Sequence, residues 1–351
     1  MKKKLFIGIL LAALLTLTAC GGTEKSKDTS SSNDKKTEEK TEYPVTIHNY
    51  AKAEGGTEWK EKDQTFDKAP ERIMANTKPG AELLLHLGLG DKIVGVGADF
   101  GASDESVAKE YAKLKILSGD YVGKETTLGT SPDLVLGRGD LFDNAEWGVG
   151  TVDSLNEMGV KTYVLGSSVT GGTYDSIYTD IENIGKIFNV QDKAESFAKE
   201  LKDKEKSIEK KLANIQENKK FALLFISDPK DVSIYPANGE TFFNESFEKM
   251  VRLDNVFKDV KGDSVAIEKL IDADPDVLII PDWQTYNGDD AEKDPEKIKK
   301  ALYANPKLSG MKAIKNKQIY AVDYNYMFGY GYDTIDGMEK LAKEMYPDLF
   351  K

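Results

Sequence analysis

The chain has 351 residues and a formal net charge of −12, and its basic charge is almost all lysine. Such an acidic surface argues against nucleic acid and anionic lipid as partners, and the presence of one cysteine, Cys20, excludes a disulfide framework. About 300 residues follow the first 43, too many for one small core and suited to two lobes.

At the N-terminus, Lys2, Lys3 and Lys4 precede an apolar run from Leu5 to Ala19. This is the pattern of a signal peptide, too short for a bilayer span of roughly 20 residues. The run ends Leu17-Thr18-Ala19-Cys20-Gly21, which resembles the lipobox of bacterial lipoproteins. The resemblance implies cleavage after residue 19 and acylation of Cys20, with two chains worth about 0.8 kcal/mol per buried CH₂ as a stable anchor. Residues 21–42 carry no aromatic or aliphatic side chain, so 20–43 reads as a disordered tether.

A lobe over 44–188 opens with a strand at Arg72–Thr77, a helix at Ala81–Leu87 and a strand at Lys92–Gly97. Asp133–Leu136 is a third strand, and a helix at Val152–Met158 leads to a fourth at Lys161–Leu165. Strands separated by helices imply βαβ units and a mostly parallel sheet. Apolar residues then recur at helical spacing from Tyr174 to Phe188 and again through Ala194, Phe197, Ala198, Leu201, Ile208, Leu212 and Ile215. The second set, with Lys and Glu on its other face, predicts a long interlobe helix over 189–218. The lobe over 219–351 restarts with strands at Phe221–Ile226, Val232–Tyr235, Asp276–Ile280 and Gln318–Val322, and ends in a helix over Asp333–Met345. The fold class is α/β, two Rossmann-like lobes joined by one long helix.

One unit occurs twice. Glu125 stands seven residues before Pro132-Asp133, and Glu268 seven before Pro275-Asp276, each followed by an apolar run. Together with Ala69-Pro70-Glu71-Arg72-Ile73, the stretch Glu82 to Val96, the long helix and Ala313 to Val322, these units resemble the substrate-binding lipoproteins of ABC importers for iron–siderophores, haem and cobalamin. The resemblance runs from about Pro70 to the C-terminus. It implies a lipid-anchored extracytoplasmic protein, monomeric and not an enzyme, that captures an iron(III) chelate as cargo, without a resident cofactor or directly bound metal. It further implies that Glu125 and Glu268 engage arginines of a permease driven by a cytoplasmic ATPase. One departure is Arg252-Leu253-Asp254, where the family usually carries Gly-Gly before Asn-Val-Phe.

Ligands of open α/β sheets sit beyond the carboxyl ends of the strands. Arg138 follows such a strand between two glycines and is one of three arginines in the chain; its planar fork suits carboxylate, hydroxamate or catecholate oxygens. Trp147 lies beyond it, and Trp283 holds the equivalent place in the second lobe. Tyr324, Tyr326, Phe328, Tyr330 and Tyr332 follow the last strand at every second position, as a cleft wall, and Tyr235 is a further candidate. Aromatics with one or two cations suit a large anionic ligand. Haem or cobalamin in place of a siderophore complex, and an adhesin with no small ligand, stay open. Two histidines, His48 and His86, are too few for a direct zinc or manganese site, and Gly166-Ser167-Ser168-Val169-Thr170 lacks the second glycine of a hydrolase elbow.

Overall fold

The structure, a computed structural model, describes residues 40–226, 232–262, 264–282 and 294–351. Cys20, the segment before it and Trp283 lie outside the described residues. Two short antiparallel pairs come first: β1 (Val45–Ile47) with β4 (Gln64–Phe66), and β2 (Tyr50–Lys52) with β3 (Trp59–Glu61). The first large sheet follows, with β5 (Ile73–Ala75), α1 (Lys78–His86), β6 (Ile93–Val96), α2 (Ala108–Tyr111), α3 (Lys124–Gly129), β7 (Leu134–Gly137), α4 (Val152–Glu157) and β8 (Lys161–Val164). Its order is β6-β5-β7-β8, all parallel. Leu134, Val135 and Leu136 are fully buried, as expected of a parallel strand covered on both faces.

The chain then passes through α5 (Ser176–Phe188) and α6 (Gln191–Leu212). Asn189 between them has φ 55°, the left-handed cap that asparagine tolerates, and it ends one helix before the other begins. The second sheet contains β9 (Lys219–Leu224), β10 (Ile234–Tyr235), β11 (Leu253–Asn255), β12 (Val277–Asp282) and β13 (Ile319–Asp323). Its path is β10-β9-β12-β13, with β11 also against β9, and only β10 runs antiparallel. Around it lie α7 (Thr241–Val251), α8 (Ile267–Ala273), α9 (Pro295–Ala304), α10 (Lys312–Lys315), α11 (Tyr324–Phe328) and α12 (Thr334–Met345). Arg252 takes φ 59° at the end of α7, so a left-handed turn that favours glycine is made here by arginine. Among the described residues no helix is long and apolar enough to cross a membrane.

Helix α6 buries Ala194, Phe197, Leu201, Ile208 and Leu212, one face at steps of three, four or their sum. That face touches both lobes. Phe197 stacks on His86 of α1 at 4.1 Å between centroids and meets Tyr332 edge-on at 5.1 Å. Lys204 forms an ion pair with Asp336 of α12. Direct hydrogen bonds add to this: Asn325 donates to the Phe100 carbonyl at 2.6 Å, Ala102 N–H to Asp323 at 2.9 Å, and Tyr332 Oη to Asp104 at 2.8 Å.

The last of these contacts belongs to a buried polar cluster. His86 Nε2 lies 2.7 Å from the same Asp104 oxygen, and Glu82 Oε1 accepts the Asp104 N–H at 2.9 Å. Glu82 is 1% exposed. Burial pushes its carboxyl up from 4.5 to about 7, against the Asp104 N–H and Lys78, which lower it. The folded protein therefore holds this proton at pH values where the unfolded chain has lost it. Its contribution to stability is complete below pH 4.5 and is lost as pH rises through about 7. Glu82→Gln keeps the acceptor and removes the cost of burying a charge. It is expected to stabilise the fold by about 1–3 kcal/mol at pH 8 and to make no difference near pH 4, as read by urea denaturation at both pH values.

Candidate functional site

The site forms where strands of both sheets end. Strand β7 closes on Gly137, with φ +145°, and a Cβ there would stand 1.8 Å from Asn76 Oδ1. Asn76 follows β5 and clamps the next residue: its Oδ1 accepts the Arg138 N–H at 2.8 Å and its Nδ2 donates to the Arg138 carbonyl at 3.0 Å. The arginine backbone is thus fixed before its side chain meets anything. The side chain is 14% exposed. Nη1 donates to Tyr324 Oη at 3.4 Å, Nη2 to Asp140 at 3.5 Å, and the guanidinium carbon lies 5.3 Å from the Tyr330 ring centre. Nε is buried without a partner. Both bonds are long for a charged donor, so the fork retains most of its capacity.

A cavity of about 640 Å³ opens beside it, lined by Arg138, Tyr235, Tyr324 and Phe328 of the expected residues. Phe328 packs edge-on against Tyr235 at 5.5 Å and Phe225 at 5.9 Å, and meets Tyr324 at 5.1 Å. Tyr326, expected on the same wall, faces away. Its stretch is the helix α11, not an extended segment, so residues four apart share a face and the one between them is turned off it. Tyr326 packs on α12, where a Cβ at Gly337 would stand 2.2 Å from its own, and its hydroxyl receives Lys340 Nζ at 2.5 Å. Trp147, 46% exposed, lines a second cavity of about 690 Å³ with Tyr121. Arg138 and Asp140 border both cavities.

Tyr330 of the same aromatic run also lines the cavity, whereas Lys52, Trp59 and Glu240, among its other lining residues, are not singled out by the sequence. The Gly55-Gly56 pair between Lys52 and Trp59 is a turn signal, the one hint that the two flank a turn. Glu240 carried no comparable signal. Tyr330 Oη donates to it at 2.9 Å and Tyr235 Oη donates to its other oxygen. Burial raises this carboxyl, opposed by the two tyrosine bonds. Neither histidine lines the cavity: His48 pairs with Asp63, and His86 sits in the interlobe cluster. Among the described residues no three His, Cys, Asp or Glu side chains are grouped to hold a metal.

Glu125 and Glu268 lie elsewhere, exposed in the first turns of α3 and α8. The aspartates of the same units have a structural task. Asp133 accepts the N–H groups of Glu71 and Arg72, both at 2.8 Å, and Asp276 accepts that of Lys220 at 3.0 Å. Each ties the start of a neighbouring strand to the strand that follows it.

A family model described as periplasmic binding protein matches residues 73–326. An uncharacterized ABC transporter substrate-binding lipoprotein of Bacillus subtilis (strain 168), YvrC, is 27% identical over 355 aligned positions and 100% of both chains. The petrobactin-binding protein YclQ of the same organism is 23% identical, over 98% of this chain and 99% of its own. The crystal structure of a periplasmic binding protein from Veillonella parvula superposes with a TM-score of 0.73 at 22% identity, covering 86% of this chain and 99% of that one. Its fold agrees with the two-lobed α/β class expected from the sequence.

Asn76 is 1% exposed. Asn76→Ala removes both bonds to the Arg138 backbone and is expected to cost about 1–3 kcal/mol of stability, seen as a lower melting temperature.

Proposed function

The chain belongs to the periplasmic binding protein family, and on that premise we propose that it is the lipid-anchored binding subunit of an ABC importer for an iron(III)–siderophore complex. It holds the complex between its lobes and passes it to a permease coupled to a cytoplasmic ATPase. The observation that carries this reading is Arg138: a buried guanidinium with an unpartnered Nε, in an aromatic cavity of about 640 Å³. A flat or globular anionic chelate supplies the acceptors that this cation lacks and the apolar surface that the rings cover. The relative named a petrobactin-binding protein and the lipoprotein relative support the same reading. Cys20 is the proposed anchor residue.

Two outcomes test this. Trp59 borders the main cavity and Trp147 the adjoining one, so a bound chelate quenches tryptophan fluorescence. In titrations with ferric hydroxamate, ferric catecholate, ferric citrate, haem and cobalamin, one iron chelate is expected to quench strongly. Arg138→Ala is expected to weaken that binding by about 10- to 100-fold, the worth of a charged hydrogen bond. No response across the panel rejects the reading; a response to haem or cobalamin alone rejects the siderophore.

The exposed glutamates are proposed to contact the permease. A carboxylate in a first helical turn gains only about 0.3–1 kcal/mol, and neither glutamate forms an ion pair among the described residues. Glu125→Ala with Glu268→Ala is expected to abolish ligand uptake by whole cells while leaving the affinity of the purified protein unchanged. Normal uptake by the double variant removes them from this role.

A further inference from the structure

We propose that the ribbon β2–β3, which precedes the family-matched region, is a specificity wall of the cleft. In this view Lys52 supplies a second cation and Trp59 a ring to a ligand carrying net negative charge. This rests on the binding function proposed above and adds a second cation and the wall that carries it.

The family match begins at residue 73, yet the cavity is bordered by Lys52 and Trp59. The two residues are directly opposite each other in the ribbon, so their side chains leave on one face. Lys52 Nζ lies 5.6 Å from the centre of the Trp59 ring. The ribbon is fixed to the body of its lobe. Asn49, 1% exposed, donates to the Val164 carbonyl at 2.8 Å and accepts the Val164 N–H at 2.9 Å. One side-chain amide thereby satisfies both backbone groups of Val164 on the open side of the edge strand β8. Gly55 N–H reaches Asp143 at 3.3 Å, and Lys62 pairs with Asp153.

This anchoring places Trp59 beside the arginine. A Cβ at Gly139 would stand 2.8 Å from Trp59 Cζ2, so the ring lies directly on the backbone one residue past Arg138, a close approach that only glycine permits. The Gly139 N–H is itself held by Ser168 Oγ at 2.8 Å. The ring that lies on Gly139, next to Arg138 in the chain, is therefore delivered by the ribbon.

The charges divide unevenly in their freedom. Of the anions on the wall, Glu240 receives two tyrosine hydroxyls and Asp140 faces Arg138. Of the cations, Arg138 has its Nε unpartnered, and Lys52, whose side chain is 9% exposed, reaches Asp143 only at 3.7 Å. An ammonium has three N–H groups, and one loose ion pair with one ring leaves Lys52 most of its donor capacity. Both cations keep N–H donors to spare, which suits anionic oxygens on the ligand. A ligand that engages both cations carries more than one anionic oxygen on its surface.

The test uses calorimetric titration of the full chain in detergent, with a trianionic ferric tris-catecholate and a neutral ferric trihydroxamate as probes. The wild type is expected to prefer the anionic complex. Lys52→Gln is expected to lower affinity for it at least tenfold and to change the neutral one less than twofold, with Lys52→Arg restoring most of the loss. Trp59→Phe is expected to weaken binding of whichever probe is held, with the melting temperature within a degree or two of wild type. Lys60→Gln, exposed on the opposite face of the same ribbon, is expected to change neither affinity. Preference for the neutral complex, or unchanged anion affinity in Lys52→Gln while Arg138→Ala loses it, overturns this inference and leaves the binding function standing. Binding of neither probe, nor of any other iron chelate, haem or cobalamin, overturns both.

Discussion

Phe197 of the long helix touches both lobes at once, stacked on His86 and edge-on to Tyr332. Everything at the cleft depends on that splint. The site is made of side chains from two sheets that share no strand, so its geometry is only as well defined as the lobe-to-lobe relation. A ring wedged between two others resists sliding because aromatic pairs lose contact area and edge-to-face alignment together. The hydrogen bonds from Asn325 to Phe100 and from Tyr332 to Asp104 then fix the register. A helix crossing both lobes, with such bonds on either side, favours small closures over a wide hinge. The cost is visible in the same place. Packing the lobes tightly buries Glu82, whose carboxyl is driven up to about 7.

Arg138 extends the same logic into the cleft. Taking a cation out of water costs several kcal/mol even after relaxation, and a ring face returns about 0.5–2 kcal/mol. Two long hydrogen bonds to Tyr324 and Asp140 do not close that gap. The backbone clamp from Asn76 and the left-handed Gly137 hold the residue in place regardless. The guanidinium is thus kept where it is poorly compensated by side chains from other parts of the fold. That is the arrangement expected of a group whose remaining partner comes from outside, and it links a local instability to binding.

The sequence was most informative where burial decides the pattern. Leu134 to Leu136 and Leu278 to Ile280 are buried on both faces and read as strands because nothing polar interrupts them. The face of α6 was legible because Phe197, Leu201, Ile208 and Leu212 keep helical steps. The stretch from Tyr324 to Phe328 reads as a wall because a period of two and a single helical turn look alike over five residues; only the preceding strand end and Asp323, which caps the turn by accepting the Asn325 N–H, separate them. The ribbon from Tyr50 to Glu61 was passed over because its strands have three residues each and polar faces, so no periodicity could accumulate. Glu240 is illegible in the sequence, since its place depends on Tyr330 arriving from a distant part of the chain.

The duplicated unit separates into two parts when its residues are followed into the fold. Asp133 and Asp276 each accept backbone N–H groups at the start of the adjacent strand, a requirement that recurs because both lobes are parallel sheets built the same way. Proline before each of them ends the preceding helix, since it disfavours helical backbone at the residue ahead of it. The fold therefore explains the Pro-Asp half of the repeat in full. It leaves the glutamates over: α3 and α8 have six and seven residues, and a first-turn carboxylate is only one of several ways to begin so short a helix. Two exposed charges at matched positions, one on each lobe and neither lining the cavity, are what a partner needs if it is to grip both lobes without touching the ligand.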